Sequence, residues 1–146
     1  MLQRSEESLR IRRDVFLGRN RLNGEEHEQT LVAALNYASS LVQLQRYQEV
    51  KSVLRKTMSV SRRVLGESHE VALKMRWTYA EALYKDDGAT LDDRREAVTT
   101  VEETERIARR VFGGAHPTTV GVERALRRAR AALRARETPP SAREDK

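Results

Sequence analysis

The sequence predicts an all-α protein made of successive pairs of antiparallel helices. The first indication is a Gly-x-x-His motif that begins at Gly24, Gly66 and Gly113 and places its histidines 42 and 47 residues apart. Repetition at such a period is typical of stacked helical units, in which no unit buries its apolar face alone. The second is that apolar residues between the motifs recur three and four positions apart, which is helical spacing. The third is the composition, because 5% aromatic and 34% charged residues suit surface-rich helices better than a β-sandwich.

Residues 1–23, before the first motif, are predicted to form one helix, the second half of an incomplete repeat. In the register of the motifs this segment corresponds to residues 43–64, so that Phe16 matches Met58. Gly24 follows, where the end of a helix commonly needs a left-handed residue. The apolar residues with helical spacing are Leu2, Leu9, Ile11, Val15, Phe16 and Leu22.

Residues 24–65 are predicted to be a complete helix pair. An amphipathic stripe runs from Leu31 to Leu44, and Gln45-Arg46-Tyr47 forms a short turn. A second helix then continues the apolar period until Gly66 stops it, so the two helices are antiparallel.

Residues 66–112 repeat this plan with five extra residues in the loop Asp86–Asp93. Thr90 and Asp93 resemble a capping box, which predicts that the second helix begins near Leu91. The loop lacks the alternating ligands and the distal glutamate of a helix-loop-helix calcium site, so a solvated turn is favoured over a metal site.

Residues 113–136 are predicted to form a single terminal helix that closes a repeat domain spanning residues 1–136. Pro117 suits its first turn. Thr138-Pro139-Pro140 would end it, and residues 137–146 are expected to be a disordered polar tail. The helix is rich in arginine, with Arg124, Arg127, Arg128, Arg130, Arg134 and Arg136.

This pattern resembles the tetratricopeptide repeat, in the 42-residue variety found in kinesin light chains. The matching residues of the first unit are Gly24, His27, Thr30, Asn36, Ala38, Tyr47, Glu49 and the pair Leu65-Gly66. Those of the later units are Gly66, His69, Ala72, Ala80, Glu96, Ala97 and Gly113, followed by His116, Pro117 and Thr119. Arg127 stands at a position where the family has a small alanine, which suggests a terminal helix whose outer side faces water. The resemblance implies a right-handed superhelical stack of about six helices.

The resemblance also implies a concave groove, lined by the first helix of each pair, that receives a peptide segment of a partner. Asn36 matches the family asparagine that holds the peptide backbone, whereas its later equivalents are Thr78 and Ala125. The sequence does not decide whether Asn36 binds a ligand or is only a polar surface residue. Lys74 and Lys85 are expected to favour an acidic peptide. Helical spacing adds Gln29, Val32, Ala33, Ser40, Gln43, Val71, Met75, Ala82, Thr118, Val122 and Arg128 to this face.

The three histidines are predicted to stabilise turns and not to bind a metal. Zinc ligands lie about 2.1 Å from the ion, whereas equivalent positions of neighbouring repeats are at least about 8–10 Å apart. The chain has no cysteine, and it contains no nucleophile elbow, Walker loop, dinucleotide fingerprint or zinc-protease motif. We therefore expect a protein without cofactor or metal that is not an enzyme.

Two other functions compete with peptide binding. The net charge of +6 and the arginine-rich last helix would suit nucleic acid or another acidic surface, although no aromatic stacking platform accompanies the charges. The unpaired end helices expose apolar edges that would suit self-association. No apolar run approaches the roughly 18 residues of a membrane span and no signal-peptide core is present, so a cytoplasmic protein without membrane contact is expected.

Overall fold

The computed structural model describes the backbone of residues 2–137 and the side chains of residues 4–137. This part of the chain contains six α-helices and no strand, so the predicted all-α class and number of helices are confirmed. The helices are α1 (Leu2–Asn23), α2 (Glu28–Gln43), α3 (Tyr47–Leu65), α4 (Glu70–Tyr84), α5 (Leu91–Phe112) and α6 (Pro117–Glu137). Glu137 continues α6, and the rest of the predicted tail lies outside the described residues.

Local signals place most ends of these helices where the sequence predicts them, although Tyr47, predicted to lie in a turn, is the first residue of α3. Gly24, Gly66 and Gly113 have φ angles of 86°, 93° and 85° and follow the last residues of α1, α3 and α5. This left-handed conformation is one that side chains with a Cβ rarely adopt. At the start of α5, Thr90 and Asp93 form the predicted capping box, and the hydrogen bonds from Thr90 lower the pKa of Asp93.

The six helices form two sets that differ in how closely their members approach. Each helix packs on the next one in the chain, and in addition α2 packs on α4 and α4 packs on α6. Within the described residues, α1, α3 and α5 make no comparable contacts with one another. We call the side of the molecule formed by α2, α4 and α6 the inner face.

Small residues allow the helices to approach within the core. Ala38, Ala80 and Ala97 have no exposed surface, and larger side chains there would overpack the contacts. The rings of Phe16 and Tyr37 stack with centroids 6.0 Å apart, which joins α1 to α2. The main cluster of buried apolar residues therefore has members in all six helices, from Leu9 of α1 to Ala129 of α6.

The first helix buries less of its apolar stripe than its spacing suggests. Leu9 is 5% exposed, but Ile11, Val15 and Leu22 are 64%, 42% and 81% exposed. The reason is that α1 packs on only one helix, α2, so only one side of it is covered within the described part of the chain.

Candidate binding groove

Three adjoining cavities run along α2 on the inner face. The first, of about 540 Å³, lies between α1 and α2; the second, of about 260 Å³, lies between α2 and α4; the third, of about 520 Å³, lies where these two helices end. Asn36 lines the first and second cavities, and Ser39 lines the second and third. We call this continuous depression the inner groove.

Asn36 lies at the centre of the groove with its side chain available. The residue is exposed, and no described residue hydrogen-bonds to its side-chain amide. Its backbone carbonyl accepts a hydrogen bond of 3.2 Å from Arg12, whose guanidinium also donates to the hydroxyl of Ser40 at 2.7 Å. The neighbouring α1 therefore holds the backbone at Asn36 and leaves the amide group free for a ligand.

Several residues predicted to line the groove are instead buried in the core. Met75 and Val122 have no exposed surface, so the prediction that they contact a bound peptide is wrong. Ser40 and Thr78 are only 4% and 7% exposed, although Thr78 still reaches the wall of the second and third cavities. The inner helices press against one another, so a smaller arc of each helix is free than the helical spacing suggested. Also buried are Ala82, Thr118 and Ala125, whereas Ala33, although only 5% exposed, lines the first cavity.

The two lysines do not supply the free positive charge that the sequence suggested. The ammonium of Lys74 lies 3.0 Å from a carboxylate oxygen of Glu70, four residues earlier in α4. Lys85, which directly follows α4, pairs in the same way with Glu81. The hydrogen bond from Lys74 is the main cause of the lowered pKa of Glu70. Each lysine is therefore already paired with a carboxylate, and the expectation that these lysines favour an acidic peptide stays a prediction.

The free positive charge near the groove comes from α1, which sequence reasoning left out of the site. Arg19 donates to the side-chain oxygen of Gln29 at 2.6 Å, and Arg12 donates to the neutral acceptors described above. No carboxylate oxygen of the described residues lies within 4 Å of either guanidinium. Because their acceptors are uncharged, both arginines keep a full positive charge for a ligand.

The remaining predicted residues divide between the groove and other surfaces. Gln29 and Val32 line the first cavity, whereas Gln43 and Lys85 line the third. Arg128 is exposed on α6 and touches none of the three cavities. Trp77 was not predicted to line the groove, but it lines the second cavity. The available signal was its position next to Thr78, the equivalent of Asn36 on α4.

The helix α6 also carries a basic surface. Five of its exposed arginines have no carboxylate partner within 4 Å among the described residues, and Arg130 reaches Glu102 only at 3.6 Å. The five are Arg124, Arg127, Arg128, Arg134 and Arg136. None of them lines a cavity of the inner groove.

The predicted turn-stabilising role of the histidines is confirmed. Nδ1 of His27, His69 and His116 accepts a backbone N–H two residues later, each at 3.1 Å, at the start of α2, α4 and α6. A side-chain acceptor at this position satisfies one of the free amide groups of the first turn. Within residues 4–137, no three His, Asp or Glu side chains are grouped closely enough to hold a metal ion.

Replacing His69 with Ala is expected to lower the free energy of unfolding by about 1 kcal/mol, because α4 loses its N-cap acceptor. His69→Asn, which restores a good acceptor at the same position, should retain most of the stability. Urea unfolding followed by circular dichroism measures both. Equal losses for the two variants would mean that the imidazole acts through packing and not as a cap.

Within the part of the chain that the structure describes, no helix has the length and apolarity to span a membrane. A scan against protein-family models found no match to this chain. Searches of the curated proteins and of the solved structures found none either. The function is therefore inferred from the inner groove and its residues.

Proposed function

We propose that this chain is a non-catalytic protein-interaction module that binds a peptide segment of a partner in the inner groove. The observation that carries the proposal is the free side-chain amide of Asn36 at the junction of two cavities along α2. An amide offers one acceptor and two donors, which together match the N–H and C=O groups of a peptide backbone. Such recognition is independent of the ligand's side chains and needs no catalytic group.

The groove also selects the side chains of the peptide. Arg12 and Arg19 at the α1 end would attract a carboxylate, while Trp77 in the second cavity offers an aromatic surface to an apolar side chain. Near the third cavity, Lys85 and Glu81 neutralise each other. We therefore propose a partner segment that carries its acidic residues toward α1.

The proposal includes a specific architecture. We propose that the helices form a right-handed superhelical stack of the tetratricopeptide type found in kinesin light chains, acting in the cytoplasm. Support comes from the equivalent glycine ends, the histidine caps at equivalent positions, and the contacts among α2, α4 and α6. In such a stack the inner face would be the concave one.

Peptides selected from a random display library against the wild-type chain are expected to bind about tenfold more weakly to Asn36→Ala, because a hydrogen bond to the backbone is lost. Fluorescence anisotropy of a labelled peptide measures the affinity, and circular dichroism checks that the helix content is unchanged. Asn20→Ala is the matched control, since Asn20 is an exposed asparagine of α1 outside the inner groove. An unchanged affinity for Asn36→Ala, or an equal loss for Asn20→Ala, would refute the proposed site.

The basic surface of α6 supports a second candidate function, the binding of nucleic acid through its phosphates. The observation that favours it is the set of five exposed arginines that have no carboxylate partner among the described residues. Binding of this kind weakens steeply as the salt concentration rises. A salt titration with a labelled single-stranded oligonucleotide, repeated with Arg127→Gln, tests it; this function is rejected if the oligonucleotide does not bind at low salt.

A further inference from the structure

The same contact between one helix and the next two occurs twice along the chain, but no helix of the described residues makes it with α1 and α2. The helix α2 lies against both α3 and α4, and in the same way α4 lies against both α5 and α6. By the repeat, α1 and α2 correspond to α3 and α4, and to α5 and α6. No described helix lies against both α1 and α2. The first cavity of the inner groove, between α1 and α2, lies beside this uncovered position.

A comparison of α1 with α3 shows which face of α1 is uncovered. Both helices end just before a left-handed glycine, so residues 42 apart are equivalent, and Ile11 and Val15 match Val53 and Thr57. In α3 these two positions are half-buried and line a space shared with Thr30 of α2. In α1 the same face is uncovered, since Ile11 is 64% and Val15 is 42% exposed.

The uncovered face of α1 also differs in charge from the equivalent face of α3. Arg12 and Arg19 match Leu54 and Ser61 of α3, both of which have no exposed surface. Both arginines hydrogen-bond only to neutral groups of α2. They are seven residues apart, which is about 10.5 Å along a helix at 1.5 Å per residue. A second helix lying here would meet these two positive charges. Two of its own residues that are seven apart lie on one face and have the same spacing.

We propose that an amphipathic helix of a partner protein docks on α1 and α2, in the position that α2 itself takes on α3 and α4. Its apolar side packs on Ile11, Val15 and Val32, and two of its carboxylates, seven residues apart, pair with Arg12 and Arg19. This binding follows the mode in which an amphipathic helix lies in a groove. The inference rests on the proposed function, because the first cavity is part of both sites, and it adds the form and charge pattern of the bound segment.

A second copy of the chain fits this position less well than an acidic partner. The helix α1 carries six arginines and three acidic residues, and α6 carries six arginines and two acidic residues. Stacking of α6 on α1, or of α1 on another α1, would therefore bring like charges together. An acidic helix has the complementary charge.

The test uses synthetic 18-residue helices of leucine and alanine with two glutamates seven residues apart at the edge of the apolar face. A matched peptide carries glutamine at both positions. We expect the glutamate peptide to bind the full chain about tenfold more tightly in fluorescence anisotropy. Arg19→Gln should reduce this difference, because only Arg12 then remains to pair with a glutamate of the peptide. Ile11→Asp should weaken both peptides, and it leaves the fold intact because Ile11 is exposed.

Arg127→Gln controls for net charge, because it removes one positive charge on α6, away from the proposed site. Equal binding of the glutamate and glutamine peptides to the wild-type chain would overturn the proposal, and so would an Arg127→Gln effect as large as that of Arg19→Gln. Dimerisation of the wild-type chain that Ile11→Asp abolishes, measured by light scattering, would show that a second copy takes the position and would also overturn it. Loss of the Asn36-dependent peptide binding, in contrast, would count against the proposed function and not against the helix site.

Discussion

Replacing Glu103 with Gln is expected to lower the free energy of unfolding by about 1.5–3 kcal/mol, the range for a hydrogen bond to a charged group. Glu103 of α5 accepts a hydrogen bond of 2.6 Å from Arg76 of α4, whose side chain is only 6% exposed. The other terminal nitrogen of Arg76 has no hydrogen-bond partner among the described residues. Without the carboxylate, the buried guanidinium would keep its charge and lose the only counter-ion that the described residues supply.

The neighbouring substitution Glu102→Gln is a closely matched control. Both glutamates lie on α5 and their side chains are 43% and 44% exposed, but Glu102 faces the half-exposed Arg130 at 3.6 Å. An exposed pair of this kind contributes about 0–1 kcal/mol. Urea unfolding of both variants, followed by circular dichroism, gives the comparison. If Glu102→Gln destabilises the chain as much as Glu103→Gln, burial of the partner does not determine the effect.

Replacing Gly121 with Ala is expected to lower the free energy of unfolding by about 1–3 kcal/mol, the range for overpacking. In an exposed helix the same change would be favourable by about 1 kcal/mol, because alanine has the higher helix propensity. At Gly121, however, the new Cβ would lie 2.9 Å from Cζ2 of the Trp77 indole and closer still to Cη2. Because Gly121 of α6 has no side chain, the indole of Trp77 of α4 can pack against it.

Gly18→Ala provides the opposite result in the same molecule. This glycine lies within α1, and nothing stands within 4 Å of a Cβ added there, so the substitution should stabilise the chain slightly. Trp77→Leu is expected to relieve the cost of Gly121→Ala in the double variant, because the ring atoms in contact are removed. Additive effects of the two changes would show that Trp77 is not the obstacle.

The sequence by itself was sufficient for the positions of the helices in the described residues. The Gly-x-x-His motif marks three of the five boundaries between helices, because its glycine ends one helix and its histidine caps the next. The start of α5 at Leu91 followed in the same way from Thr90 and Asp93. Asn36 was likewise predicted to line the groove from its place in the repeat, and its free amide became evident only in the structure.

The properties of the groove were decided by the tertiary structure, because burial and charge pairing depend on neighbours distant in the sequence. Helical spacing put Met75 and Val122 on the same face as Asn36, but contacts between successive inner helices bury them. The pairing of Arg76 with Glu103, 27 residues away, has no local signal at all. Local rules act over about four residues of a helix, so they determine where each helix begins and ends. Only the packing of α1, α2 and α4 on one another decides which side chains face a ligand.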